Sequence, residues 1–116
     1  MMPLGCHAIL ECYECDEVML KDQSMLEQHL IEAAKAAGAT VLHTSFHKFD
    51  RGEGVTGVIV LAESHISVHT WPEYGYMAVD VFMCGECNPL VSTDYIINNL
   101  RIGKFSVDKI ERGDNF

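Results

Sequence analysis

The chain alternates between two hydrophobic periods, and these periods predict its elements. Two-residue alternation or short apolar runs, typical of β-strands, occupy residues 4–15, 40–49, 55–62, 66–71, 76–84 and 104–111. Apolar residues spaced by three and four predict a helix over 21–38. Asn88-Pro89 opens a second helix that runs to about Leu100, because proline fits a first helical turn. The predicted order is β, α, β, β, β, β, α, β.

The first predicted helix has two competing N-terminal caps. Ser24 with Glu27 three residues later resembles a capping box, and Asp22 is the alternative cap. Gly38 stands at the C′ position, where a left-handed glycine ends many helices.

The middle strands follow one another through short turns, which predicts a mainly antiparallel sheet with both helices on one face. In the strand over 40–49, alternation places these side chains on one face: Val41, His43, Ser45, His47 and Phe49. We therefore expect an α+β fold, a two-layer α/β sandwich, formed by residues 1–116 as a single domain. The uncovered face of the sheet is expected to form a homodimer.

Composition narrows the function classes. The 116 residues fit one domain, and the net charge is −9 with an isoelectric point near 4.9. Lysine and arginine are scattered, so a surface that tracks nucleic-acid phosphates is not expected. No apolar run reaches membrane-spanning length, and the N-terminus lacks the pattern of a signal peptide. We expect a cytoplasmic protein whose five cysteines are thiols or ligands.

Two CxxC pairs form one candidate site. Four thiolates from Cys12, Cys15, Cys84 and Cys87 would suffice for tetrahedral zinc. The pair "CGEC" contains the glycine that assists a tight turn, whereas "CYEC" does not. A non-enzymatic zinc-binding module is therefore an alternative function.

Several aromatic residues surround a glutamate near the centre of the chain. Trp71, Tyr74, Tyr76 and Phe82 are each expected to pack in the core. Glu73 lies among them, and a carboxylate in such surroundings is costly unless it is paired. Glu73 is thus a candidate to meet a donor or a cation on a ligand.

Ser64 lies outside the G-x-S-x-G pattern of hydrolases. The surrounding sequence "GVIVLAESHISVHTWPEYGYMAVDVFMCGE" instead resembles the self-cleaving core of bacterial and archaeal S-adenosylmethionine decarboxylases. "LGCHAILECYECD" resembles the first strand of that family and "ATVLHTSFHKF" its second. The motif E-S-H-x-x-x-H-T-W-P-E-x-G-Y, at residues 63–76, is long and specific. The resemblance covers roughly residues 4–89.

The resemblance implies a proenzyme that cuts itself between Glu63 and Ser64. The cut yields a β chain of residues 1–63 and an α chain of residues 64–116, and Ser64 becomes a covalent pyruvoyl group. Thr56 matches a hydroxyl residue that assists this processing. His69 matches the processing histidine, a suitable proton carrier near neutral pH.

In catalysis the resemblance implies that the pyruvoyl group forms a Schiff base with the α-amine of S-adenosylmethionine. Cys84 then matches the proton donor after carbon dioxide has left, and Phe49 and Glu73 are candidates for binding the substrate. The product would supply the aminopropyl donor of spermidine biosynthesis. Arginine or ornithine stays open as the substrate of the same chemistry. Active sites are expected at the interface of a homodimer, with no metal, nucleic acid or membrane involved.

Overall fold

A computed structural model describes residues 3–114 and contains a six-stranded sheet. Its strands are β1 (Gly5–Tyr13), β2 (Val41–Lys48), β3 (Val55–Leu61), β4 (Ser64–Trp71), β5 (Tyr76–Cys84) and β6 (Lys104–Arg112). The order across the sheet is β2-β3-β4-β5-β1-β6, and every neighbouring pair is antiparallel. The predicted α+β class and antiparallel sheet are confirmed.

Among the described residues, three α-helices accompany the sheet, α1 (Glu17–Leu20), α2 (Gln23–Ala36) and α3 (Pro89–Asn99), and a short 3₁₀ helix spans Pro72–Tyr74. Leu26 and Leu30 of α2 and Ile96 of α3 are fully buried, together with the apolar side chains that the strands turn toward them. Burial of this apolar surface stabilises the two-layer arrangement. In the described part of the chain, no helix combines the length and apolar character needed to cross a membrane.

The strands alternate between a face packed against the helices and an opposite face, which we call the open face. The first set includes Leu10, Ile59, Ile66, Val68 and Val79, all nearly inaccessible to solvent. The open face carries half-buried and largely polar side chains, namely His7, Ile9, Glu11, Thr56, Val58, His65, Ser67, His69, Ala78, Asp80 and Phe82. The sequence analysis expected a second copy of the chain to pack against this open face.

Asp22 caps α2, because its carboxylate accepts a 3.1 Å hydrogen bond from the amide of Met25. Ser24 already lies in the first helical turn, so the predicted capping box is wrong. Gly38 follows the helix with φ of +78°, which confirms its assignment as the C′ residue. The four residues of α1, capped by Asp16, are too few to show a helical period in the sequence.

A bulge in β2 changes one assignment of the face pattern. Val41 pairs with Leu61, but the register shifts before His43, which pairs with Val60. The extra residue moves Val41 to the face of the sheet that packs against the helices, so its predicted grouping with His43 is wrong. His43, Ser45 and His47 do share one face, as the alternation predicted, and His47 pairs with Thr56 on the open face.

Candidate active site

Ser64 lies directly after the tight turn between β3 and β4. Leu61 pairs with Ser64, which leaves Ala62 and Glu63 as a two-residue hairpin loop. Such loops favour glycine or asparagine with positive φ, and this loop contains neither. The unusual conformation falls instead on Ser64, whose φ is +142°. A non-glycine residue in this region carries strain on the order of 1–3 kcal/mol.

Glu63 is held from two sides. Its carboxylate accepts a 2.9 Å hydrogen bond from the amide of Thr40, and its main-chain carbonyl accepts one of 2.9 Å from the amide of Cys84. A fixed N–H that points at a carbonyl oxygen stabilises negative charge developing there. The carbonyl next to the strained Ser64 therefore has the surroundings of an oxyanion site.

Cys84 ends β5 beside this carbonyl and is half-buried. Gly85, with φ of +69°, turns the chain toward Cys87, which is also half-buried. Burial raises the pKa of the Cys87 thiol, and the nearby charges of Glu63, Cys84 and Glu86 raise it further. Cys87 therefore keeps its proton at neutral pH.

At the far end of β4, His69 pairs across the sheet with Thr56 of β3. The Nδ1 atom of His69 lies 3.2 Å from the Oγ1 atom of Thr56, within hydrogen-bond reach. This contact orients the imidazole ring, and within residues 3–114 the other ring nitrogen forms no hydrogen bond.

A cavity of about 240 Å³ lies beside His69. Its walls include Phe49, Thr56 and Glu73, together with Trp71. Two aromatic rings, a carboxylate, a hydroxyl and an imidazole thus meet in one place. A cavity with this lining suits a ligand that has a flat ring and hydrogen-bond donors.

The site residues predicted from the sequence form two separate groups. The cleavage end contains Glu63, Ser64 and Cys84, and the cavity end contains Phe49, Thr56, His69 and Glu73. Ser64 and His69 are five residues apart on β4, which corresponds to roughly 17 Å. One chain therefore does not bring all the predicted residues together.

The aromatic residues do not lie in the core, contrary to the sequence-based expectation. Trp71 is 40% exposed and Tyr74 is 78% exposed. Tyr76 and Phe82 are half-buried on the open face, where the ring of Tyr76 packs 5.2 Å from that of Trp71. Trp71 is an odd-numbered residue of β4, and Tyr76 and Phe82 are even-numbered residues of β5. Side chains at these positions lie on the face opposite the buried set.

Sequence reasoning missed Glu11 of β1, which holds the ring of Tyr76 in place. Its carboxylate accepts a 2.5 Å hydrogen bond from the hydroxyl of Tyr76. Burial and the neighbouring Glu11 raise the pKa of Tyr76, so the phenol remains a donor. The alternation of β1, which puts Glu11 on the same face as His7, was the available signal.

A family model described as S-adenosylmethionine decarboxylase matches residues 6–113. The chain belongs to the S-adenosylmethionine decarboxylase family. It is 51% identical over 114 residues to the S-adenosylmethionine decarboxylase proenzyme of Methanococcus vannielii, covering 97% of this chain and 93% of the relative. The proenzyme of Caldicellulosiruptor saccharolyticus is 44% identical, with 97% and 91% covered.

The fold agrees with this family. A crystal structure of the adenosylmethionine decarboxylase from Aquifex aeolicus superposes with a TM-score of 0.86 and 36% sequence identity. The match covers 97% of this chain and 93% of that one. These three proteins are all named for S-adenosylmethionine, which gives no support to the arginine or ornithine alternative.

The zinc alternative also finds no support in this member of the family. Cys12 pairs with Met77 at one end of the β1–β5 ladder, whereas Cys84 pairs with Gly5 at the other. Seven residues of β1 separate these ends by roughly 24 Å. Four thiolates at these positions cannot share one ion. Burial instead raises the pKa of Cys12 to about 12 and that of Cys15 to about 11, which leaves both as protonated thiols.

Proposed function

We propose that this protein is a pyruvoyl-dependent S-adenosylmethionine decarboxylase that cuts its own chain between Glu63 and Ser64. The observation that carries the proposal is the environment of that peptide bond. Ser64 is strained, and the carbonyl of Glu63 is fixed by the amide of Cys84. These are the features that an attack by a neighbouring hydroxyl requires.

In the cleavage step, the Ser64 hydroxyl attacks the carbonyl carbon of Glu63. The Cys84 amide stabilises the oxyanion, and the leaving nitrogen takes up a proton, so the amide becomes an ester. Removal of the Ser64 α-proton then expels the Glu63 carboxylate and leaves a dehydroalanine. Water adds to this residue, ammonia departs, and residue 64 becomes a pyruvoyl group. A serine is needed at position 64 because its β-oxygen leaves as part of the Glu63 carboxylate.

His69 supplies the proton transfers of this sequence, with Thr56 holding its ring. A general acid or base acts within hydrogen-bond reach, and His69 is roughly 17 Å from Ser64 along the same strand. The histidine that serves Ser64 therefore comes from a second copy of the chain. Two copies packed open face to open face, related by a twofold axis, bring the cleavage end of each to the cavity end of the other.

The pyruvoyl group supplies a ketone that binds the substrate amine and accepts the electron pair released with carbon dioxide. Cys84 would then donate a proton to the former α-carbon, since its main-chain amide contacts the carbonyl of Glu63, next to the residue that becomes the pyruvoyl group. The cavity of the partner copy receives the adenosyl end, with Phe49 stacking on the base and Glu73 accepting hydrogen bonds. The net charge of −9 favours a cationic substrate.

The product is the aminopropyl donor for spermidine synthesis. We place the reaction in the cytoplasm, where the reducing conditions preserve the Cys84 thiol.

Intact-mass measurement under denaturing conditions tests the proposal. The wild-type protein should give two polypeptides, residues 1–63 and residues 64–116, and the second should have a blocked N-terminus. Ser64→Ala should remain one chain and should not decarboxylate S-adenosylmethionine. Decarboxylation by a wild-type chain that stays full length would contradict the pyruvoyl mechanism.

A further inference from the structure

One cysteine at the cleavage end has no part in the proposed reaction. Cys87 lies three residues after Cys84, and a turn formed by Gly85 and Glu86 separates the two. A two-residue turn holds the residues on its two sides within about 7 Å of each other. The Cα atoms of a disulfide are usually roughly 4–7 Å apart. The backbone therefore places Cys84 and Cys87 at a separation that a disulfide can span.

The thiols of this pair also lie close to each other. Burial is the main cause of the raised pKa of the Cys87 thiol, and the charges of Glu63 and Cys84 add to it. Charges act in this way only at short range, because water and salt screen them at longer distances. The side chain of Cys87 packs against the buried core, which limits the positions open to its thiol.

The other CxxC pair has different surroundings. Cys12 is fully buried and Cys15 is 8% exposed, whereas Cys84 and Cys87 are both half-buried. Oxidation of a thiol depends on its exposure to the oxidant in solution. Of the two pairs, the one that contains the proposed proton donor is thus the one open to oxidation.

We propose that Cys84 and Cys87 form a reversible disulfide that switches the decarboxylase off under oxidising conditions. The oxidant is a low-molecular-weight disulfide such as glutathione disulfide. Cys84 loses its thiol proton and attacks one sulfur of this oxidant, which expels one glutathione and leaves a mixed disulfide. Cys87 then loses its proton, attacks the sulfur of Cys84 and expels the second glutathione. The two expelled thiolates take up the two protons, so two protein thiols are oxidised and one disulfide is reduced.

The inference rests on the proposed function, which assigns the proton-donating thiol to Cys84. A disulfide sulfur has no proton to donate, so oxidation stops turnover at the step after carbon dioxide has left. The disulfide also protects Cys84 from conversion to sulfinic and sulfonic acids, which thiols do not reverse. A dithiol reductant returns both cysteines to the active form by the same exchange.

The proposed cleavage puts this pair alone on one fragment, because residues 64–116 contain Cys84 and Cys87 but no other cysteine. Self-cut wild type is equilibrated in buffers with different ratios of glutathione to glutathione disulfide. Samples are quenched with acid, alkylated under denaturing conditions and weighed, and decarboxylation of S-adenosylmethionine is measured in parallel. We expect the fragment to lose two hydrogens and to accept no alkyl group, and turnover to fall in proportion. Dithiothreitol should restore both thiols and the turnover.

Cys87→Ala and Cys6→Ala are the variants to compare. Cys6 is half-buried like Cys87, but it lies on the other fragment. Without Cys87, Cys84 can form only the mixed disulfide, which lacks the high effective concentration of a neighbouring thiol. At the buffer ratio that halves wild-type turnover, Cys87→Ala should keep most of its turnover, and Cys6→Ala should lose as much as wild type.

Equal inactivation of Cys87→Ala and wild type at that ratio would overturn the inference. So would a wild-type fragment that carries glutathione, or both alkyl groups, in glutathione disulfide alone. A disulfide that joins the two fragments, or full turnover by protein with the internal disulfide, would overturn it as well. Reduced and cut wild type that does not decarboxylate S-adenosylmethionine would instead refute the proposed function, whatever the thiol state of the fragment.

Discussion

The main-chain amide of Cys84 donates a 2.9 Å hydrogen bond to the carbonyl oxygen of Glu63. This bond does not involve the thiol of Cys84. One residue can therefore serve two steps with different groups, the amide in chain cleavage and the thiol in decarboxylation. Substitutions that keep or remove the amide separate the two roles.

Cys84→Ala keeps the amide and loses the thiol. It should still cut between Glu63 and Ser64, but its turnover should fall by ~10²–10⁴-fold, the usual contribution of a positioned general acid. Cys84→Pro has no N–H to donate, so it should stay uncut. Intact mass and release of carbon dioxide from S-adenosylmethionine measure the two steps.

Cys87→Ala is the matched control, and it should cut and turn over normally. Circular dichroism establishes that each variant folds before the comparison is made. Efficient cleavage of a folded Cys84→Pro chain would show that the main-chain amide of residue 84 has no role in cleavage. Normal turnover of cut Cys84→Ala would leave the thiol without a catalytic role.

Mixed dimers test the distribution of the site over two chains. Ser64→Ala and His69→Ala chains, each inactive in processing alone, should complement each other when coexpressed with tags of different mass. In a mixed dimer, the intact Ser64 of one chain meets the intact His69 of the other. With random pairing, about half of the His69→Ala chains should be cut, because about half lie in mixed dimers. Mixed dimers that form but contain no cut chain would mean that each site belongs to one chain.

The N-terminal cap of α2 gives a prediction about stability. Asp22→Ala should lower the free energy of unfolding by about 1 kcal/mol, because the amide of Met25 loses its acceptor. Ser24→Ala should have little effect, since Ser24 does not form the cap. Urea denaturation on a Ser64→Ala background keeps the chain in one piece for this measurement. A larger loss of unfolding free energy from Ser24→Ala than from Asp22→Ala would show that Ser24 forms the cap.

Cys12 makes stability sensitive to alkaline pH. Burial raises the pKa of its thiol from 9.0 to about 12 in the folded protein, so the unfolded chain releases this proton first. The contribution of Cys12 is complete below pH 9 and is lost as the pH rises toward 12. Cys12→Ala should flatten the decline of the melting temperature between these values, whatever its effect at neutral pH. An unchanged slope would show that Cys12 does not titrate in this range.

Much of the fold is encoded locally and could be predicted. The limits of β5, for example, follow directly from the run at residues 76–84, which ends at the turn around Gly85. The choice between Asp22 and Ser24 as the cap could not be made, because both side chains suit the position and only the path of the chain decides. The bulge at Val41 also depends on pairing with β3, which no local pattern contains.

The candidate site, like the fold, could be predicted only in part from the sequence. The motif around Ser64 named the candidate residues, but it could not show that β4 holds Ser64 at its start and His69 near its other end. The cavity beside His69 had no local signal, because residues of β3, of β4 and of the turn between β2 and β3 form it together.

The strand order has a consequence for the cut protein. The proposed cleavage between Glu63 and Ser64 would assign β1, β2 and β3 to one fragment and β4, β5 and β6 to the other, yet β1 lies between β5 and β6 in the sheet. The fragments share three strand borders, β3–β4, β5–β1 and β1–β6, and cannot separate while the sheet persists. Once unfolded, however, they have to find each other again, so refolding becomes a second-order process that fails on dilution. The proposed maturation would thus turn a single-chain fold into an assembly whose refolding depends on its own concentration.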